Sequence, residues 1–105
     1  MRPVLLGYQQ VQIGTPRAEI ARRLRLLVDF AEREGYALAE VFVDDSADRP
    51  LSAFHALINQ AKQDNQVAAV AVPTGDDLSR NAFARRELWI RLERETGLPV
   101  HVIER

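Results

Sequence analysis

The chain has 105 residues, a formal net charge of −1 and 47% apolar content, which fits a single domain over residues 1–105 with a core of ordinary size. No apolar run approaches the ~20 residues of a membrane helix and the N-terminus is too short and too quickly polar for a secretory signal, so a cytoplasmic protein with no membrane association is expected. Cysteine is absent, which excludes disulfides, thiolate chemistry and cysteine-based zinc sites, and the near-neutral charge gives no general attraction to nucleic acid.

Pro3 to Tyr8 is a short apolar run ending in polar residues, which predicts a buried strand. Thr15-Pro16 predicts a helix start, with Thr15 as cap and Pro16 in the first helical position. Ile20, Leu24, Leu27, Val28 and Ala31 then recur at helical spacing, with Arg22, Arg23, Arg25, Asp29 and Arg33 on the other side. Gly35 is placed to end this helix in the left-handed conformation. Leu38 to Val43 predicts the second strand, and Asp44 to Pro50 a polar loop. The next helix carries Phe54, Leu57, Ile58 and Ala61 on one face. Val67 to Val72 lacks alternation, which predicts a strand buried on both faces and inside the sheet. Pro73 to Ser79 is a loop, Asn81 to Glu95 a third helix closed by Gly97, and Val100 to Ile103 a last strand.

The order βαβαβαβ predicts a three-layer α/β sandwich, a four-stranded mostly parallel sheet with helices on both faces. Functional loops in such sheets lie beyond the carboxyl ends of the strands, here Gln9–Thr15, Asp44–Arg49 and Pro73–Arg80. Asp44, Asp45, Asp76 and Asp77 could in principle hold Mg²⁺, since hard cations take oxygen ligands. The plainer expectation is solvated loops in which Arg49 and Arg80 neutralise the aspartates, with no metal and no cofactor. His55 and His101 have no apparent serine partner and are expected in ordinary helix and strand positions. The arginines of the first and third helices alternate with Glu and Asp, which predicts solvated faces laced by i,i+4 pairs rather than a basic stripe for nucleic acid.

The third helix has more apolar residues than one sheet face can cover. Phe83, Leu88, Trp89, Ile90 and Leu92 cover more than one face, with Leu88 and Leu92 on one stripe and Phe83 and Ile90 on another. Phe83, Trp89 and Ile90 are therefore a candidate interface for self-association or for another protein, the alternative being that the C-terminal strand or a loop folds over them.

Leu6-Gly7-Tyr8-Gln9-Gln10-Val11-Gln12 resembles the first strand and loop of the serine recombinase (resolvase/invertase) catalytic domain, which runs into Tyr-x-Arg-Val-Ser. Phe42 to Ser46 is similar to that family's strand and Asp-x-Ser segment. Asp48-Arg49-Pro50-Leu51 resembles its Asp-Arg-Pro-x-Leu, and Gly75 to Asn81 its Leu-Asp-Arg-Leu-Gly-Arg-Asn. The resemblance covers most of the chain and implies a resolvase-like fold. It also implies that Arg49, Asp76 and Arg80 match active-site positions. Gln12 stands where the nucleophilic serine would be, Gln10 where an arginine would be, and Asp77 where a phosphate-binding arginine would be. A carboxamide cannot be activated as an alkoxide, so no catalytic residue is assigned. The residues after the last strand are too few for the family's dimerising helix or its DNA-reading domain.

The expectation is a catalytically inactive recombinase-like domain kept as an interaction or regulatory module. A non-cutting DNA-associated accessory protein, with weak DNA binding, is the alternative. A small enzyme using the aspartate-rich loops for different chemistry is a third class.

Overall fold

The computed structural model describes residues 1–45 and 51–104. Strand β1 (Val4–Val11) is followed by helix α1 (Arg17–Glu34), strand β2 (Ala37–Asp45), helix α2 (Ser52–Gln63) and strand β3 (Val67–Thr74). A single 3₁₀ turn, Gly75–Asp77, then leads to helix α3 (Ala82–Thr96) and strand β4 (Val100–Glu104).

The four strands are ordered β2-β1-β3-β4 and every pairing is parallel. The Val67–Val72 segment therefore sits between β1 and β4, off the sheet edge, as its unbroken apolar sequence predicts. Ala69, Val70, Ala71 and Val72 are all fully buried.

Two cores lie on opposite faces of the sheet. Leu5, Ala69 and Ala71 point to one face and pack on Leu27, Phe30 and Ala31 of α1. Leu6, Tyr8, Val70 and Val72 point to the other and pack on Phe54, Leu57 and Ile58 of α2 and Leu92 of α3. This alternation follows from the two-residue period of a strand. Fully burying one leucine such as Leu27 or Leu57 contributes about 1.5–3 kcal/mol. Gly7 lets α1 approach β1 closely, because a Cβ there would lie 3.0 Å from a Leu27 methyl and 3.3 Å from Val41.

The helix ends at Gly35 and Gly97 both adopt left-handed geometry, as their positions predict. The start of α1 differs from expectation. Pro16 is the cap, with extended backbone, and Arg17 is the first helical residue. The buried stripe of α1 is also rotated. Leu27, Phe30 and Ala31 are buried, while Leu24 and Val28 are exposed. On α3, Asn81 is the cap and its side chain accepts from the Ala84 N–H.

Three strands run further than their apolar stretches. β1 continues through Gln9 and Gln10 to Val11, β2 through Asp44 and Asp45, and β3 through Pro73 to Thr74. Backbone pairing explains β1 and β2, because their ladder reaches Gln10 with Asp44 and Val11 with Asp45.

Candidate functional site

Strand order reverses at β1, with β2 on one side and β3 on the other, and the helices after β1 and β3 lie on opposite faces. A crevice opens at such a point beyond the carboxyl ends of the strands. β1 pairs with β3 only as far as Gly7 with Ala71. Past that point the 3₁₀ turn after β3 supplies partners to β1.

Gln10 carries this link. It is 5% exposed. Its backbone N–H donates to Asp77 Oδ1 at 3.2 Å, and its side-chain Nε2 donates to the Leu78 carbonyl at 2.9 Å. Asp77 has no exposed surface. Its Oδ2 accepts from both the backbone N–H and the hydroxyl of Thr74 at 3.0 Å, and the Thr74 side chain in turn accepts from the Asp77 N–H, a capping box around the turn. Arg23 reaches in from α1 and places Nη1 3.3 Å from Asp77 Oδ1. Burial pushes the Asp77 carboxyl above the ordinary carboxylate range, against the pull of Arg23 and the Thr74 hydrogen bonds. Asp77 is thus an internal acceptor rather than a loop charge facing solvent.

Arg23 is shared with Glu19, whose Oε2 lies 2.8 Å from its Nε. Arg22 grips the same carboxylate and also reaches Glu104 at 3.0 Å. Hydrogen bonds from Arg22, then Arg23, hold the Glu19 carboxyl down at about 2. Arg23 was expected on a solvated face, yet it precedes Leu27 by four residues and lies on the buried stripe. That spacing was the available signal.

Asp44 is the second internal carboxylate, at 4% exposure. The Tyr8 hydroxyl donates to its Oδ2 at 2.6 Å, and the Ala53 and Phe54 N–H groups at the start of α2 donate at 2.8 and 2.9 Å. Burial, with Asp44 beside it, raises the Tyr8 hydroxyl pKa strongly. The expectation of solvated aspartates neutralised by Arg49 and Arg80 therefore fails for Asp44 and Asp77. Asp76 is paired too, but with Arg85 at 2.9 Å. Arg85 also donates to the Ser79 carbonyl and lies across Gly75, where a Cβ would come within 3.0 Å of it.

Arg80 is exposed and Gln12 half-buried beyond the end of β1. Arg49 lies outside the described residues, as does the Asp48-Arg49-Pro50 segment. A cleft of about 610 Å³ opens between α1 and α3 beyond β3 and β4. Its wall sets Arg22, Arg23 and Arg85 against Glu19, Asp76 and Glu104, so positive charge there is matched by negative. Among the described residues, no three His, Asp or Glu side chains come together as a metal site. His55 packs edge-on to Phe54, and His101 lies against Phe30. On α3, Phe83 and Ile90 are exposed at 76% and 42%, and Trp89 is half-buried against the core.

No protein-family model matches the chain, and no curated protein matches it in sequence. Solved structures match in fold. The C-terminal catalytic domain of ISC1926 TnpA, an IS607-like serine recombinase, superposes with a TM-score of 0.74 at 20% identity, over 95% of this chain and 67% of that one. The N-terminal catalytic domain of TP901-1 integrase gives 0.73 at 20% identity, over 95% of this chain and 76% of that one. A serine recombinase from Sulfolobus solfataricus gives 0.66 at 23% identity, over 98% of this chain and 69% of that one. The chain therefore has the fold of a serine recombinase catalytic domain.

Proposed function

We propose that this chain, which shares its fold with serine recombinase catalytic domains, has lost the DNA-cutting chemistry and serves as a protein-interaction or regulatory module. The observation that carries this reading is the buried network of Gln10, Asp77, Thr74 and Arg23. The resemblance gives arginines to positions 10 and 77. In their place stand a neutral amide committed to the Leu78 carbonyl and a carboxylate committed to internal donors. Neither supplies a cation to a phosphate.

The nucleophile position supports the same reading. A serine attacks phosphorus through an oxygen that a base can deprotonate, and the Gln12 carboxamide offers no such oxygen. Loss of a nucleophile alone costs a factor of roughly 10⁶ in rate. Loss of charge clamps on the developing negative charge lowers it further.

The interaction role rests on α3, which presents Phe83 and Ile90 to solvent. Large exposed apolar side chains grouped on one helix mark partner surfaces. Supercoiled plasmid tests the catalytic half of the reading, and its topology will be unchanged after prolonged incubation with the protein. Nicking or relaxation that follows the protein through purification contradicts it. Fluorescence anisotropy with duplex DNA addresses the alternative of an accessory DNA binder, for which affinity would fall steeply with salt.

A further inference from the structure

The solvent face of α3 reads the same in both directions. Phe83, Arg86, Glu87, Ile90, Glu93 and Arg94 are its exposed residues from 83 to 94. With Ile90 as midline and about 100° per residue, Arg86 and Glu93 fall about 40–60° to one side. Glu87 and Arg94 fall equally far to the other. None of these four charges forms a salt bridge within the chain among the described residues. Other charged residues of α3 do, since Arg85 holds Asp76 and Arg91 holds Glu95.

A two-fold axis through Ile90, perpendicular to the helix, keeps each flank on its own side and reverses its direction. At ~1.5 Å rise per residue, Arg86 lies ~6 Å before Ile90 and Glu93 ~4.5 Å after it. After the rotation, Arg86 of one copy therefore stands opposite Glu93 of the other, and Glu87 stands opposite Arg94. Both matches occur twice. The same operation brings Ile90 against itself and puts Phe83 over Gly97, which is exposed and has no side chain to obstruct the ring.

We infer that the α3 face is a homodimer surface, with a second copy of this chain docked antiparallel across Ile90. The inference rests on the interaction role proposed above and names its partner. Ile90 and Phe83 supply the apolar contact, and the four reciprocal ion pairs fix register and direction. A closed two-fold contact of this kind is isologous, each residue meeting its counterpart's partner. A single helix face is narrow, at the low end of specific interfaces below about 1,200 Å² in total, so the dimer is weak and depends on concentration. Its exposed ion pairs are screened by salt, so association falls as ionic strength rises.

Sedimentation velocity over micromolar to millimolar protein, with two charge-reversal variants, tests this. Wild type is expected to show a monomer–dimer equilibrium. Arg86→Glu alone and Glu93→Arg alone each set like charges opposite one another twice, and each should weaken the dimer about tenfold or more. Mixing the two variants restores opposite charges in both pairs, so a heterodimer of near wild-type affinity should form. Trp89, the single tryptophan, lines the groove beside Arg86, Ile90 and Glu93, and its emission should shift to the blue on dimerisation. If either variant loses its far-UV circular dichroism, Glu87→Arg and Arg94→Glu provide the same test on the opposite flank. A wild type that stays monomeric, single variants that dimerise like wild type, or a mixture that fails to pair overturns the inference. Those outcomes leave the non-cutting role standing. Plasmid cleavage would remove that role while leaving a measured dimer intact.

Discussion

At the scale of single residues, two buried carboxylates do work that their sequence context conceals. Asp77 accepts from the Thr74 hydroxyl and N–H, and it also serves Gln10 and Arg23. Asp77→Ala leaves these donors without a partner in the interior and should cost about 3–5 kcal/mol of stability, measured by urea unfolding. Asp77→Arg introduces the residue type that the resemblance implies at this position but sets a second cation against Arg23. It should leave the domain largely unfolded by circular dichroism, and a well-folded Asp77→Arg protein would contradict the arrangement. Nothing in the run Gly75-Asp76-Asp77 says which aspartate turns inward, because that is decided by Gln10 and Arg23, more than fifty residues away in the chain. Glu19 gives a prediction for pH. Its folded value of about 2 lies below the ordinary carboxylate value, so its contribution is present above that ordinary value and is lost as pH falls toward 2. Asp77, raised by burial, contributes in the opposite sense, most when protonated and less as pH rises through its folded value. Glu19→Gln should therefore flatten the acid limb of the stability profile between about pH 4 and 2, and a limb unchanged in Glu19→Gln would exclude this origin.

At the scale of elements, β1 and α2 are tied by one polar cluster. Asp44 at the end of β2 caps α2 through the Ala53 and Phe54 N–H groups and receives the Tyr8 hydroxyl from β1. Tyr8→Phe removes one hydrogen bond to a charged acceptor and should lower stability by about 1.5–3 kcal/mol. Asp44→Ala removes the cap and strands the Tyr8 hydroxyl as well, and should cost more than Tyr8→Phe in the same thermal melts. Equal costs for the two variants would mean the cap is worth nothing. The strand cores and the two glycine-terminated helices were legible from apolar runs and turn residues. The strand ends were not, because Gln9, Gln10, Asp44 and Asp45 are polar, and polar residues ahead of a loop look like loop. Backbone pairing between β1 and β2 holds all four in the sheet, and Gln10 and Asp44 have buried hydrogen-bond partners besides. The rotation of α1 has a similar source. Phe30 belongs to the buried stripe, and the simpler spacing through Leu24 and Val28 leads onto the exposed side.

At the scale of the whole molecule, the alternation of strands and helices, with β3 unalternating, was enough to predict a parallel sheet with β3 inside it. The solved recombinase domains share that architecture at 20% to 23% identity. Within such a fold the carboxyl ends of β1 and β3 are the natural place for chemistry. Here they carry a closed network of internal hydrogen bonds beside a cleft in which arginines and carboxylates balance. This architecture is proposed to persist without covalent DNA chemistry, and covalent trapping tests that most directly. Wild type and Gln12→Ser would each be incubated with a nicked suicide DNA substrate and resolved under denaturing conditions. No protein–DNA adduct is expected for either protein, since an introduced hydroxyl still lacks cations at positions 10 and 77. An adduct formed by the wild-type chain would contradict it outright, and an adduct formed by Gln12→Ser alone would show that the loss lies in the nucleophile only.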